Sequence, residues 1–299
     1  MPLAPSNGIE IFYETFGSKD DPTILMVMGF GAQMIVWPEA MIEDLVRRGF
    51  HVVIFDNRDC GLSTKSTEDP PDIGSLYMQA LSGEAIRADQ VAYSLSDMAA
   101  DSIGLIDHLE IDLVHLVGAS MGGMIVQTLA IEHSERLLSA TSIMSSTGEM
   151  GVGGQTPEAL MALLGPAPST RDEILAQRVS ASQLFSGPLW DRDRAEAAAE
   201  LSFDRSFHPI GSTFQFAAIG ATGDRTESLG SVDLPFLVIH GNNDSLIDVS
   251  GGHATAAAIP GADLLILDVM GHDLPPQLIP QINGAIAVHI KRAQPGEAL

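Results

Sequence analysis

The sequence predicts an α/β protein in which a mostly parallel sheet is covered by helices on both faces. Three observations predict it. Short apolar runs rich in Val, Ile, Leu and Phe recur between segments of helical period, the alternation that a sheet buried on both sides requires. Of 299 residues, 45% are apolar and only 18% charged, with a mean hydropathy of +0.18, so a sizeable core can form and disorder is excluded. No repeat, coiled coil or low-complexity tract suggests another architecture.

The elements follow in order. Ile9, Ile11 and Tyr13 alternate with polar neighbours, the pattern of an antiparallel edge strand. Further strands are predicted at 23–28, 51–55, 113–117, 138–144, 235–240 and 262–267. A helix begins near Ser94, with Asp97 completing a capping box, and places Leu95, Met98, Ala99, Ser102, Ile106 and Leu109 on one face. The apolar run 113–131 approaches membrane-spanning length, but Gly118, Ser120, Gly122, Gly123, Gln127 and Thr128 interrupt it, so it reads as strand, turn and helix (124–133). From about 148 to 230 no strand pattern occurs. Gly and Pro loops alternate there with helical pieces at 171–179 and 192–201, which predicts a helical subdomain (148–230) inserted into a core made of 1–147 and 231–299. That insertion holds Phe185, Phe203, Phe207, Phe214, Phe216 and Trp190; burial is the main use expected of such rings, and Phe185, Trp190 and Phe214 are candidate substrate contacts. The tail from residue 294 is expected to fray.

A formal charge of −24 repels phosphate backbones and anionic lipid. Neither nucleic acid nor membrane insertion is expected, and the surface should disfavour anionic substrates. The single cysteine, Cys60, permits no internal disulfide framework and reads as a core thiol. Residues 1–14 lack the basic and apolar regions of a signal peptide, so a cytoplasmic protein is expected, as monomer or homodimer.

The strongest chemical signal is Gly118-Ala119-Ser120-Met121-Gly122, set between a predicted strand and a predicted helix. In that setting G-x-S-x-G describes a strained turn that holds a serine Oγ at the C-terminal edge of a sheet, beside the free N–H groups of a helix N-terminus. Serine needs a base to accept its proton. Among nine histidines, His272 follows the last strand in a loop opening on the same sheet edge, with His253 as the runner-up. A carboxylate must fix the tautomer of that base. Asp244, four residues beyond the strand 235–240, is the leading candidate, with Asp248 and Glu149 as alternatives. Met121 N–H and Phe30 N–H, the latter in the Gly29-Phe30-Gly31 turn after the strand 23–28, are candidate oxyanion donors, and Gly29 and Phe30 also candidate substrate contacts.

These motifs resemble the α/β-hydrolase fold over nearly the whole chain. The segments 25–29, 37–39, 55–64, the serine turn and 270–272 are similar in particular to the aclacinomycin methylesterase group. The resemblance implies an eight-stranded sheet with a helical cap, a triad of Ser120, Asp244 and His272, and Phe30 and Met121 as oxyanion residues. Met28 departs from the pattern, since many relatives carry histidine there. The 56–63 loop reads as structural, with Arg58 as an alternative receptor for a substrate carboxylate.

The function expected is a bacterial serine carboxylic ester hydrolase acting on small to medium apolar esters, with no cofactor and no metal. Serine at the turn excludes dehalogenases and epoxide hydrolases of this fold, which use aspartate. Carbon–carbon bond hydrolases and cofactor-free perhydrolases share the triad and remain alternatives, as does a binding protein without turnover.

Overall fold

The computed structural model describes residues 2–165 and 168–293. The tail from residue 294 lies outside them. Among the described residues, eight strands form one sheet: β1 (Leu3–Ser6), β2 (Ile9–Phe16), β3 (Thr23–Val27), β4 (His51–Phe55), β5 (Val114–Ala119), β6 (Leu137–Ile143), β7 (Phe236–Gly241) and β8 (Asp263–Leu267). Their spatial order is β1-β2-β4-β3-β5-β6-β7-β8; β2 pairs antiparallel with β1 and with β4, and the remaining pairs are parallel. The segment predicted as an edge strand is therefore second from the edge. The true edge, β1, is joined to it by Asn7-Gly8, both at positive φ (44° and 80°), with Ser6 opposite Ile9. Such a two-residue turn matches the twist of the flanking strands.

The strands from β3 to β7 are buried almost throughout, and successive residues face opposite layers. Leu25, Val27, Val53, Phe55 and Leu116 meet α3 (Leu95–His108) and α4 (Met121–Glu132) on one face. Ile24, Met26, Val52, Ile54 and Val117 meet α1 (Glu39–Arg47) and α11 (Ile279–Ala293) on the other. The helix predicted near Ser94 is α3; the Ser94 side chain accepts from Asp97 N–H and Asp97 caps Ser94 in return.

Between β4 and α3 lies α2 (Ile73–Leu81), which the sequence did not suggest; it packs on Ile86, shortly after it, and on Ala217, far along the chain. Between β6 and β7 the described residues contain α5 (Pro157–Leu164), α6 (Arg171–Phe185), α7 (Arg192–Arg205), α8 (Gly211–Thr222) and α9 (Thr226–Leu229), and no strand. Of these, α8 and α9 bury Phe214, Ala218 and Leu229 in the same cluster as α3 and α4. Finally α10 (Ser250–Ala258) connects β7 to β8. No helix among the described residues is long and apolar enough to cross a membrane.

Candidate active site

Ser120 occupies the junction of β5 and α4 at φ 56° and ψ −121°. A non-glycine residue adopts such angles only when its surroundings impose them. Here Ser120 N–H donates to Ile143 O on the neighbouring β6 at 2.9 Å. Helix α4 also crosses closely: a Cβ on Gly122 would lie 2.0 Å from Val27 O, and one on Gly118 2.2 Å from Gly122 O. The two glycines of the motif are thus required by close approach, and the serine is left at the C-terminal edge of the central strand.

Two loops from that same edge meet it. His272, after β8, has Nε2 2.9 Å from Ser120 Oγ and Nδ1 2.7 Å from Asp244 Oδ2, in the loop after β7. A carboxylate can only accept, so Nδ1–H donates to Asp244, leaving Nε2 to accept from the Ser120 hydroxyl. Asp244 Oδ1 accepts from the N–H groups of Leu246 (2.9 Å) and Ile247 (2.8 Å), and His240 Nε2 stands 3.5 Å from Oδ2. Burial pushes this carboxyl up, but the electrostatic attraction of His272 and hydrogen bonds from His240, His272 and Ile247 outweigh it and hold the pKa at about 2.

Three supports of the site were not legible in the sequence. His240 is fully buried and donates from Nε2 to Ile247 O at 2.8 Å, buttressing the Asp244 turn. His272 N–H donates to Phe185 O at 2.7 Å, so the end of α6 holds the histidine loop. Gln215 on α8 accepts from Gly31 N–H at 2.8 Å and donates to Arg58 O at 2.9 Å, fixing the turn after β3.

That turn lies against the serine: a Cβ on Gly29 would be 3.0 Å from Ser120 Cβ. Neither Phe30 N–H nor Met121 N–H has a hydrogen-bond partner among the described residues. Both are backbone donors free to take an oxyanion.

The alternatives lie elsewhere. His253 is exposed on α10, Asp248 accepts from Ser250 N–H at 3.0 Å at the start of that helix, and Glu149 is exposed beyond β6. Arg58 is bound bidentately to Asp101, with both N···O distances 2.6 Å, beneath the Tyr93 ring, so its guanidinium is not available as a substrate receptor. Asp56 accepts from the N–H groups of Met34 and Leu62 and from Arg205 of α7. Cys60 is buried; burial, reinforced by the Asp56 charge, pushes its thiol up to about 12. Among the described residues no group of three or more His, Cys, Asp or Glu is placed to hold a metal ion.

A cavity of about 460 Å³ opens between the turn after β3 and the helices that follow β6. Phe30, Ile73, Ile174, Arg178, Phe207 and Phe216 are among its walls, and Ser120 and His272 are not. Phe30 links the two regions: it directly follows Gly29, which packs against Ser120, and its ring stands edge-on to Phe216 at 6.4 Å. Of the substrate contacts expected from sequence, Phe214 needs correction. Phe214 is 2% exposed and stacks on Tyr93 in the core, because α8 turns that face towards α3. Trp190 donates to Ser182 Oγ, Phe185 offers a carbonyl to His272, and neither lines this cavity.

Residues 22–275 match a family model described as alpha/beta hydrolase fold. The chain is 25% identical to rhodomycin D methylesterase of Streptomyces peucetius, over 97% of this chain and 98% of that one. It is 26% identical to 3-oxoadipate enol-lactonase 2 of Acinetobacter baylyi, over 87% and 85% respectively. Among solved structures, a meta-cleavage product hydrolase from Pseudomonas fluorescens superposes with a TM-score of 0.78 over 98% of both chains at 18% identity, a likeness of fold alone.

Proposed function

Because the chain belongs to the α/β-hydrolase family, we propose that it is a serine carboxylic ester hydrolase with Ser120 as nucleophile, His272 as general base and Asp244 as the carboxylate that orients it. The observation that carries the reading is the unbroken hydrogen-bond chain from Ser120 Oγ through His272 to Asp244, 2.9 and 2.7 Å long. The names of the relatives, a methylesterase and an enol-lactonase, agree with cleavage of an ester linkage.

In the first half-reaction Ser120 Oγ attacks the ester carbonyl carbon as His272 Nε2 takes its proton. The carbonyl oxygen becomes an oxyanion held by the N–H groups of Phe30 and Met121, and Asp244 stabilises the imidazolium. Collapse breaks the bond to the alcohol oxygen, which leaves with the proton from Nε2. Water then gives a proton to Nε2 and attacks the acyl-serine, freeing the acid and restoring the hydroxyl. Residues 148–230 act as a cap whose helices bound the cavity beyond Phe30 and set the size of the substrate. Methyl esters are the first class to try, by likeness to the methylesterase.

Kinetics with p-nitrophenyl esters, with mass spectrometry of the quenched enzyme, test the reading. An acyl adduct should form on Ser120, and Ser120→Ala should lower kcat by about 10⁴-fold or more. Equal rates for wild type and Ser120→Ala across p-nitrophenyl and methyl esters would overturn it.

A further inference from the structure

The cavity beyond Phe30 contains an arginine that the mechanism does not use. Among the described residues every arginine except Arg178 and Arg225 forms a salt bridge. Arg225 instead donates to Gln127 Oε1, Gly223 O and Ser146 O. Arg178 has neither a carboxylate nor a hydrogen-bond acceptor among the described residues; it stacks over Phe203 at 6.0 Å and Phe207 at 5.8 Å. Stacking engages the face of a guanidinium and leaves its in-plane N–H donors unoccupied.

Position gives this vacancy of partners a meaning. Arg178 is the one charged side chain among the described residues that line the cavity, and the rest of the wall is apolar rings, aliphatic groups and neutral polar groups. In a chain with 39 acidic and 15 basic residues, carboxylates are abundant, yet among the described residues none pairs with this cation. Half-buried there, it is desolvated, and burial lowers its pKa from the ordinary arginine value. A cation both desolvated and uncompensated binds an anion more strongly than one on an open surface.

We propose that Arg178 is the receptor for a carboxylate at the far end of the acyl part of the substrate, so that the preferred esters are half-esters of dicarboxylic acids. The inference rests on the ester hydrolase reading. It assigns the acyl part to this cavity because Phe30, whose N–H is to hold the carbonyl oxygen, also supplies its ring to the cavity wall. The apolar walls then cover the methylene chain, and Arg178 selects its terminus. The receptor for a carboxylate is thus Arg178, and the paired Arg58 is not available for that role.

The test compares p-nitrophenyl half-esters of dicarboxylic acids, graded in spacer length, with ω-carboxamide esters of equal length. Wild type should prefer the carboxylate at one spacer length by roughly tenfold or more in kcat/KM, carried mainly by KM. Arg178→Gln should bring that ratio close to one, and Arg178→Lys should retain part of it. No preference at any spacer length, or a preference that survives Arg178→Gln in a variant with native circular dichroism, overturns the proposal. If wild type and Ser120→Ala are equally inactive, the hydrolase reading fails separately. Calorimetric titration of the free dicarboxylates still decides the role of Arg178: heat of binding in wild type that vanishes in Arg178→Gln upholds the receptor, and its absence in wild type overturns it.

Discussion

Asp244 shows how much at this site depends on one side chain. Its environment holds its pKa at about 2, against 3.8 for a free aspartate. Because the folded value lies below the unfolded one, Asp244 contributes stability that is complete above about pH 4 and lost as pH falls towards about 2, on the order of 2 kcal/mol. In the Asp244→Asn variant, the melting temperature should therefore fall less steeply than in wild type between about pH 5 and about pH 2; parallel curves would refute this account of its pairing. Ser120, Asp244 and His272 were legible because each follows a recognisable strand at the same sheet edge, a placement set by local pattern. His240 and Gln215 were not. His240 reads as a strand residue until the turn folds back to bring Ile247 O within 2.8 Å. Gln215 lies 184 residues beyond the Gly31 that it fixes. Contacts of that separation leave no periodic trace in a single sequence.

At the scale of elements, the parallel strands β3 to β7 were legible because burial on both faces writes them as apolar runs. The edge strand β1 was missed: only Ala4 and Ser6 of its four residues are buried. The Asn7-Gly8 pair that closes its hairpin was the signal present. How α7 docks was also beyond the sequence. Arg205 donates to Gln33 Oε1 at 2.6 Å and to the fully buried Asp56 at 2.7 Å, beside the Phe12 ring, while Gln33 Nε2 donates to Ser202 O and Ser206 O. One guanidinium therefore joins α7 to the loops after β3 and β4, and through them to the Phe30 turn. Removing it leaves the Asp56 carboxylate buried without its cation. Arg205→Ala should then cost about 3 kcal/mol, seen as a fall of roughly 5–10 °C in melting temperature. A change of under about 1 °C would show that α7 is held by its apolar contacts instead.

For the molecule as a whole, the charge of −24 and the cation at Arg178 act on an anionic substrate with opposite sign and over different ranges. The surface field repels the anion during approach and is carried by exposed groups, so salt screens it over about 8–10 Å at physiological strength. Arg178 acts at contact, half-buried, where screening is weak. Raising ionic strength should thus remove more of the repulsion than of the attraction. For the half-ester, kcat/KM should rise a few-fold between about 10 mM and about 300 mM salt, while the equal-length carboxamide ester changes little. In Arg178→Gln the rise should persist, because the surface that causes it is intact, although the preference itself is lost. A half-ester rate that falls with salt in wild type would mean that attraction reaches outward beyond the cavity and that the acidic surface does not govern approach. A rise equal for both esters would assign the effect to salt acting on the protein and not on the charge of the substrate.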